Sequence, residues 1–181
     1  MKAIRTSTPA VSGGYMFNPL QSAYPRLEKD QTIPAFSLPG ADGMPHSPWD
    51  YKQREHLVLL FTRSATNSEE RGFLRAFAHD FKAFREEECA ILAITADPVI
   101  TNLQAQETLQ LPFPLLADPQ GEVIARYTYW ESETHALAPC IILASRYGAL
   151  YAQWVAESEA KLPPITELLA SLQYLNRLCT P

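Results

Sequence analysis

The segment HLVLLFTRSATNSEERGFLRAFAHDFKAFREEECAILAIT, His56 to Thr95, decides the fold. It opens on an uninterrupted apolar run, His56 to Phe61, and closes on a second, Cys89 to Thr95. Unbroken apolar runs of strand length are what a sheet covered on both faces requires. Between them Phe73, Leu74, Phe77, Phe81 and Phe84 recur at spacings of three and four, with Arg75, His79, Asp80, Lys82 and Arg85 interleaved, so this stretch is predicted to be an amphipathic helix. Two buried strands joined through a helix imply a right-handed parallel crossover.

Working outward, the run is ended by Asp97-Pro98, and a weaker helix is expected from Ile100 to Leu109. Pro112-Phe113-Pro114 then leads into the short apolar piece Leu115-Leu116 and the turn Asp118-Pro119-Gln120-Gly121. A helix is predicted from Glu122 to about Tyr129. Cys140 to Ala144 is a third strand, turned at Tyr147-Gly148 onto a paired strand, Ala149 to Ala156, which implies an antiparallel edge. A last helix starts near Pro163-Pro164 and places Ile165, Leu168, Leu169, Leu172, Leu175 and Cys179 on one face. On the N-terminal side, Ala35 to Leu38 reads as a short strand before the turn-rich loop Pro39 to Gly43. Residues 1–32 show no periodicity and are assigned as an extension or arm, with one domain over residues 33–181. The arm carries an aromatic cluster, Tyr15, Met16, Phe17 and Tyr24, which either lies across its own domain or docks on a partner.

Composition narrows the function. Of 181 residues, 46% are hydrophobic and 19% charged, a globular balance. The net charge is −5 with no basic patch, which excludes a dedicated nucleic-acid binder. The longest apolar runs are strand-sized, so no membrane span is expected, and the first residues lack the apolar core of a secretory signal; the default location is the cytoplasm. Cys89, Cys140 and Cys179 form no C-x-x-C pair, so neither a disulfide framework nor a zinc site is indicated. The four histidines, His46, His56, His79 and His135, show no metal-ligand spacing and read as surface residues. No Gly-rich phosphate loop occurs, and no cofactor or metal is expected.

Five stretches, in order, resemble the peroxiredoxin and alkyl hydroperoxide reductase (AhpC/TSA, redoxin) family. They are IPAFSLPGADG (Ile33 to Gly43), Leu74-Arg75-Ala76-Phe77, ILAITADP (Ile91 to Pro98), LPFPLLADPQGEVIARY (Leu111 to Tyr127) and PCIILASRYG (Pro139 to Gly148). The fourth closely follows the family's LPFPLLSDPDGEVARAY. The resemblance runs from about residue 33 to 178 and implies an α/β fold, a thioredoxin-like mixed sheet of the peroxiredoxin type with helices on both faces.

It also implies a place for chemistry, at the N-terminus of the first long helix, in a P-x-x-x-T-x-x-C motif. There a thiolate attacks peroxide, and helix-end amides with a nearby Arg lower its pKa. The matching segment here is Thr62 to Glu69: the Thr is kept as Thr66, the Pro is Thr62 and the Cys is Glu69. No cysteine occurs between Met1 and Glu88, and the family's Arg has no clear counterpart in His135-Ala136-Leu137-Ala138. A carboxylate has no sulfenate to cycle through. Thr66-Asn67-Ser68-Glu69 has the form of a capping box, which would make Glu69 a structural anion; the alternative is that Glu69 imitates the charge of an over-oxidised cysteine. The resemblance therefore predicts a catalytically inactive redoxin-fold protein that works as a binding or accessory subunit, with a protein partner or as a homodimer. The alternative is a weak thiol peroxidase acting through Cys140, beside Pro139, where thioredoxin folds place a cis-proline. A third is a small-molecule binder using the old pocket near Thr66. Trp49-Asp50-Tyr51 is expected to pack beneath the helix, and Tyr127, Tyr129 and Trp130 either cover the Asp118–Gly121 segment or face a partner.

Overall fold

A computed structural model describes residues 24–178. The strands are β1 (Leu38–Pro39), β2 (Pro45–His46), β3 (His56–Phe61), β4 (Cys89–Thr95), β5 (Leu115–Ala117), β6 (Trp130–Glu131), β7 (Ala136–Leu137), β8 (Cys140–Ala144) and β9 (Leu150–Val155). The helices are α1 (Ser68–His79), α2 (Phe81–Glu86), α3 (Val99–Leu109) and α4 (Ile165–Leu178). Five strands form the main sheet in the order β5-β4-β3-β8-β9. β3, β4 and β5 run parallel, β8 lies antiparallel to β3, and β9 antiparallel to β8. The parallel pairing of β3 with β4 and the closing hairpin are those the sequence predicts, and the fold class is the expected thioredoxin-like one.

Side chains alternate across each strand, so the apolar runs feed two cores. Val58 and Leu60 of β3 join Ile91, Ile141 and Leu143 on one face, where Leu74 and Phe77 of α1, Phe84 of α2, Ala105 and Leu109 of α3 and Leu168 and Leu172 of α4 close over them. Each such fully buried aromatic or leucine contributes on the order of 2 kcal/mol. Leu57, Leu59 and Phe61 point the other way, to Leu92, Ile94, Cys140 and Ile142. That face is covered by Ile33 and Phe36 from the extended N-terminal stretch and by Val123, Ile124 and Tyr127 around a 3-10 turn. Both edges of the sheet are partly occupied. Thr32 bridges Ala149 beside β9, and Gly40 bridges Leu116 beside β5.

Local outcomes differ from the periodicity at five places. The long helix breaks at Asp80, whose amide still bonds Ala76 O while the chain re-enters helix at Phe81, and Phe77 and Phe84 stack across the break at 5.6 Å. The stretch at Ala35 forms a ladder only at Leu38–Pro39, because Pro34 has no N–H and the Pro34 and Ala35 carbonyls are taken by the Tyr127 hydroxyl and the Arg126 guanidinium. The helix expected from Glu122 is one 3-10 turn, Ile124–Arg126. There Asp118 Oδ2 accepts from the amides of Val123 (2.9 Å) and Ile124 (2.8 Å), and Thr128 donates to Ala138 O, turning the chain out of the helix. Trp49 is 58% exposed beneath the Lys52 ammonium, not packed under a helix.

The fifth difference is His56, which is fully buried and not a surface residue. Its Nδ1 accepts the Arg146 amide at 3.1 Å, and Nε2 faces Asn176 Oδ1 at 3.0 Å. Asn176 in turn donates to Glu87 O and Oε2, and Arg146 reaches Glu88 Oε2. One imidazole thus ties the start of β3 to the β8–β9 turn and to α4. Tyr127 is likewise internal, stacked on Phe61 at 4.9 Å, and the Trp130 indole packs against Gly121.

Candidate functional site

β3 delivers the chain to the sheet's C-terminal end, where Thr62 to Asn67 turn it into α1. The turn is fastened from β4. Thr62 N–H donates to Ile94 O and Ala96 N–H to Arg63 O. Asp97 Oδ2 accepts from Ser64 Oγ and the Ala65 amide, each at 2.8 Å. Thr66 is spent locally, its hydroxyl 2.8 Å from Ser64 Oγ.

The capping box does not form. The helix begins at Ser68, so Asn67 is the N-cap, with an extended backbone and no side-chain bond to the helix amides. Glu69 is the second helical residue, and its side chain lines a cavity instead of reaching back to Thr66. Glu70 is the carboxylate that turns inward. It is 7% exposed and accepts from Asn67 Nδ2 (3.0 Å) and Arg63 Nη2 (3.4 Å). Both acids sit in the first turn, where the helix dipole favours negative charge.

The cavity, about 260 Å³, opens beside this helix end. Its apolar wall is Ala136, Leu137 and Pro139, and its polar wall is Arg63, Glu69, Glu70, Glu157, Ser158 and Glu159. Glu159 Oε1 accepts the Thr62 hydroxyl at 2.7 Å. Burial pushes the Glu159 carboxyl above the usual carboxylate range, the Thr62 bond works against this, and the nearby Glu70 and Glu69 push it further up. Glu157 is ion-paired with Lys161. Four carboxylates therefore face one lining guanidinium. That electrostatic setting opposes a thiolate, which needs neighbouring cations to lower its pKa.

Thr62, through Glu159, and Glu69 meet at this cavity. Thr66 does not: it lines a separate cavity of about 160 Å³ with Ala65, Arg71 and residues of α3. Cys140 is not at either. It is fully buried on the opposite face of the sheet from α1, with Sγ 3.8 Å from Tyr127 O, and burial drives its thiol pKa far up. Pro139 does line the cavity, but its peptide bond is trans, as are all those among the described residues. Tyr15 and Phe17 of the expected partner-contact cluster, and Cys179, lie outside the described residues; Tyr24 is half-buried, with the Arg26 guanidinium over its ring. Sequence reasoning missed Glu70, Asp97, Glu157 and Glu159. The charged triplet Glu157-Ser158-Glu159 was visible, but nothing in its spacing brings it beside a helix ninety residues upstream.

A profile of the AhpC/TSA family matches residues 30–153. No curated protein matches the chain. Among solved structures, peroxidoxin BcpB from Mycobacterium tuberculosis is similar with a TM-score of 0.74 and 22% identity, over 82% of this chain and 98% of that one. A cysteine-to-serine mutant of PrxQ from Xylella fastidiosa gives 0.70 and 15%, over 82% and 97%. Thioredoxin peroxidase I from Plasmodium yoelii gives 0.70 and 16%, over 83% and 91%. At these identities the likeness is one of fold. Among the described residues no helix is long and apolar enough to cross a membrane.

Proposed function

From the premise that the chain belongs to the AhpC/TSA family, we propose that it is a redoxin-fold protein working by binding, as an accessory subunit or a homodimer, and not by reducing peroxide. The observation that carries this is the cavity beside the α1 N-terminus, which is lined by Glu69, Glu70, Glu157 and Glu159 and by no sulfur. Peroxide reduction needs an accessible thiolate held by cations and able to pass through a sulfenate. The two described cysteines are fully buried, and neither lines this cavity. What the family fold retains is a shaped, charged recess at the end of a rigid sheet, suited to recognition.

The test is consumption of hydrogen peroxide with dithiothreitol as electron donor, in wild type, Cys140→Ser and Glu69→Cys. The expected result is wild-type and Cys140→Ser rates equal to the protein-free blank. Glu69→Cys alone is expected to give little, because its thiol would sit among three carboxylates. Thiol-dependent turnover in the wild type would overturn the proposal, and its loss in Cys140→Ser would assign the activity to that thiol.

A further inference from the structure

We propose that the occupant of the acidic cavity is the chain's own N-terminal segment, residues 1–23. The inference rests on the reading of the cavity as a recognition surface and adds what it recognises.

The direction of the backbone is the first ground. Residues 25–32 run antiparallel to β9. Thr32 bridges Ala149, the Asp30 amide donates to Leu150 O, and the Leu150 amide donates to Gln31 O. Further back, the Leu27 amide donates to Gln153 Oε1, and Gln153 Nε2 donates to Pro25 O. Read from Thr32 towards Pro25, the segment climbs β9 from its start towards Val155. Beyond Val155 come Ala156 and then Glu157, Ser158 and Glu159, the cavity's rim. The described chain therefore begins, at Tyr24, towards the cavity's end of the sheet.

Reach is the second ground. Gln153 to Glu157 spans about 13 Å of extended chain at ~3.3 Å per residue, whereas Phe17 to Ala23 spans about 20 Å. The aromatic cluster can thus arrive over the cavity with slack, and closing so short a loop costs little entropy.

Complementarity is the third. Residues 1–23 contain Lys2 and Arg5 and no Asp or Glu, facing a cavity of four carboxylates. Tyr15, Met16 and Phe17 match the apolar wall of Leu137 and Pro139 and the adjoining recess at Phe73 and Ala160.

The experiment uses the full chain carrying Cys179→Ser and Ser12→Cys. With Cys89 and Cys140 fully buried, a nitroxide label attaches at position 12 alone. Amide signals of Glu69, Leu137 and Ser158 are expected to lose most of their intensity in the oxidised label relative to the reduced one. Reversing charge with Lys2→Glu and Arg5→Glu should lower the docked-to-undocked ratio by about two-fold for each residue. Unaffected signals at those amides would overturn the proposal. So would broadening that appears when labelled unenriched protein is mixed with unlabelled 15N protein, which would make the occupant a second copy. Broadening insensitive to the charge reversal would overturn the electrostatic basis of recognition. Peroxide turnover in the same sample would instead defeat the reading of the cavity as a recognition surface, so the two failures are distinguishable.

Discussion

Lowering the pH through the histidine range should loosen this fold through one residue, His56. In the folded protein its Nδ1 accepts the Arg146 N–H, so that nitrogen carries no proton, and Nε2–H is directed at Asn176 Oδ1. Protonation would set a new N–H against the Arg146 N–H and add a positive charge beside the Arg146 guanidinium, 3.4 Å from Nε2. Burial pushes the imidazole pKa down; the Asn176 bond opposes this, Arg146 adds to it, and Glu88 and Glu87 oppose it. In the unfolded chain the imidazole titrates near 6.5. The folded pKa lies below the unfolded one, so stability from this group is fully present above pH 6.5 and falls as pH drops, because the unfolded state binds the proton first. The limiting slope for one proton is about 1.4 kcal/mol per pH unit, or as much as about 2 kcal/mol by pH 5 while folded His56 stays neutral. Urea unfolding at a series of pH values from 7.5 to 5 measures this in the wild type and in His56→Gln. The variant should be less stable at pH 7.5 but lose less on acidification, its carboxylates being unchanged. Parallel stability curves for the two proteins would refute the reasoning.

Three further outcomes follow from the geometry. Glu159→Gln should leave stability at pH 7 unchanged or raise it slightly, since a raised folded carboxyl pKa means that ionisation above it costs folding energy; a drop of several degrees in Tm would contradict this. In the Cys179→Ser protein, Cys89 and Cys140 should resist a thiol-modifying reagent under native conditions and react only on denaturation, both being fully buried with thiol pKa values pushed up by burial; rapid native labelling at Cys140 would revive its candidacy as a nucleophile. Gly121→Ala should destabilise by more than the roughly 1–2 kcal/mol of left-handed strain, because φ is +68° and the new Cβ would stand 2.0 Å from Trp130 Cε2. The displaced indole should also shift the tryptophan emission, and an unperturbed spectrum at wild-type stability would count against the packing described.

The strands of the main sheet were legible because burial on both faces writes itself as unbroken apolar runs, and β3, β4 and β8 fall at His56–Phe61, Cys89–Thr95 and Cys140–Ala144 as read. What escaped was set by tertiary partners. Glu122 to Tyr129 has a helical composition, but Asp118 captures its first amides and Thr128 is pulled to Ala138. Thr66 and Glu69 have the spacing of a capping box, yet Ser64 takes the Thr66 hydroxyl and the helix starts one residue later than the box requires. His56 looked like the polar end of a strand because its partners, Arg146 and Asn176, lie far along the chain. The cavity's acidic character shares that cause: half of it comes from α1 and half from the stretch after β9.

The covered flanks of the sheet limit how this protein can associate. On one side residues 30–33 pair with Gly148 to Leu150 at the start of β9, and on the other the Ala41 amide donates to Leu115 O while Gly40 bridges Leu116 along β5. An open flank is where a foreign chain adds a strand, in ordered recognition or in aggregation. The protein's own backbone takes up the start of β9 and the Leu115–Leu116 stretch of β5, which shortens the flank left for main-chain zippering. A companion that gripped the recesses and helices by side-chain contact would leave that pairing intact.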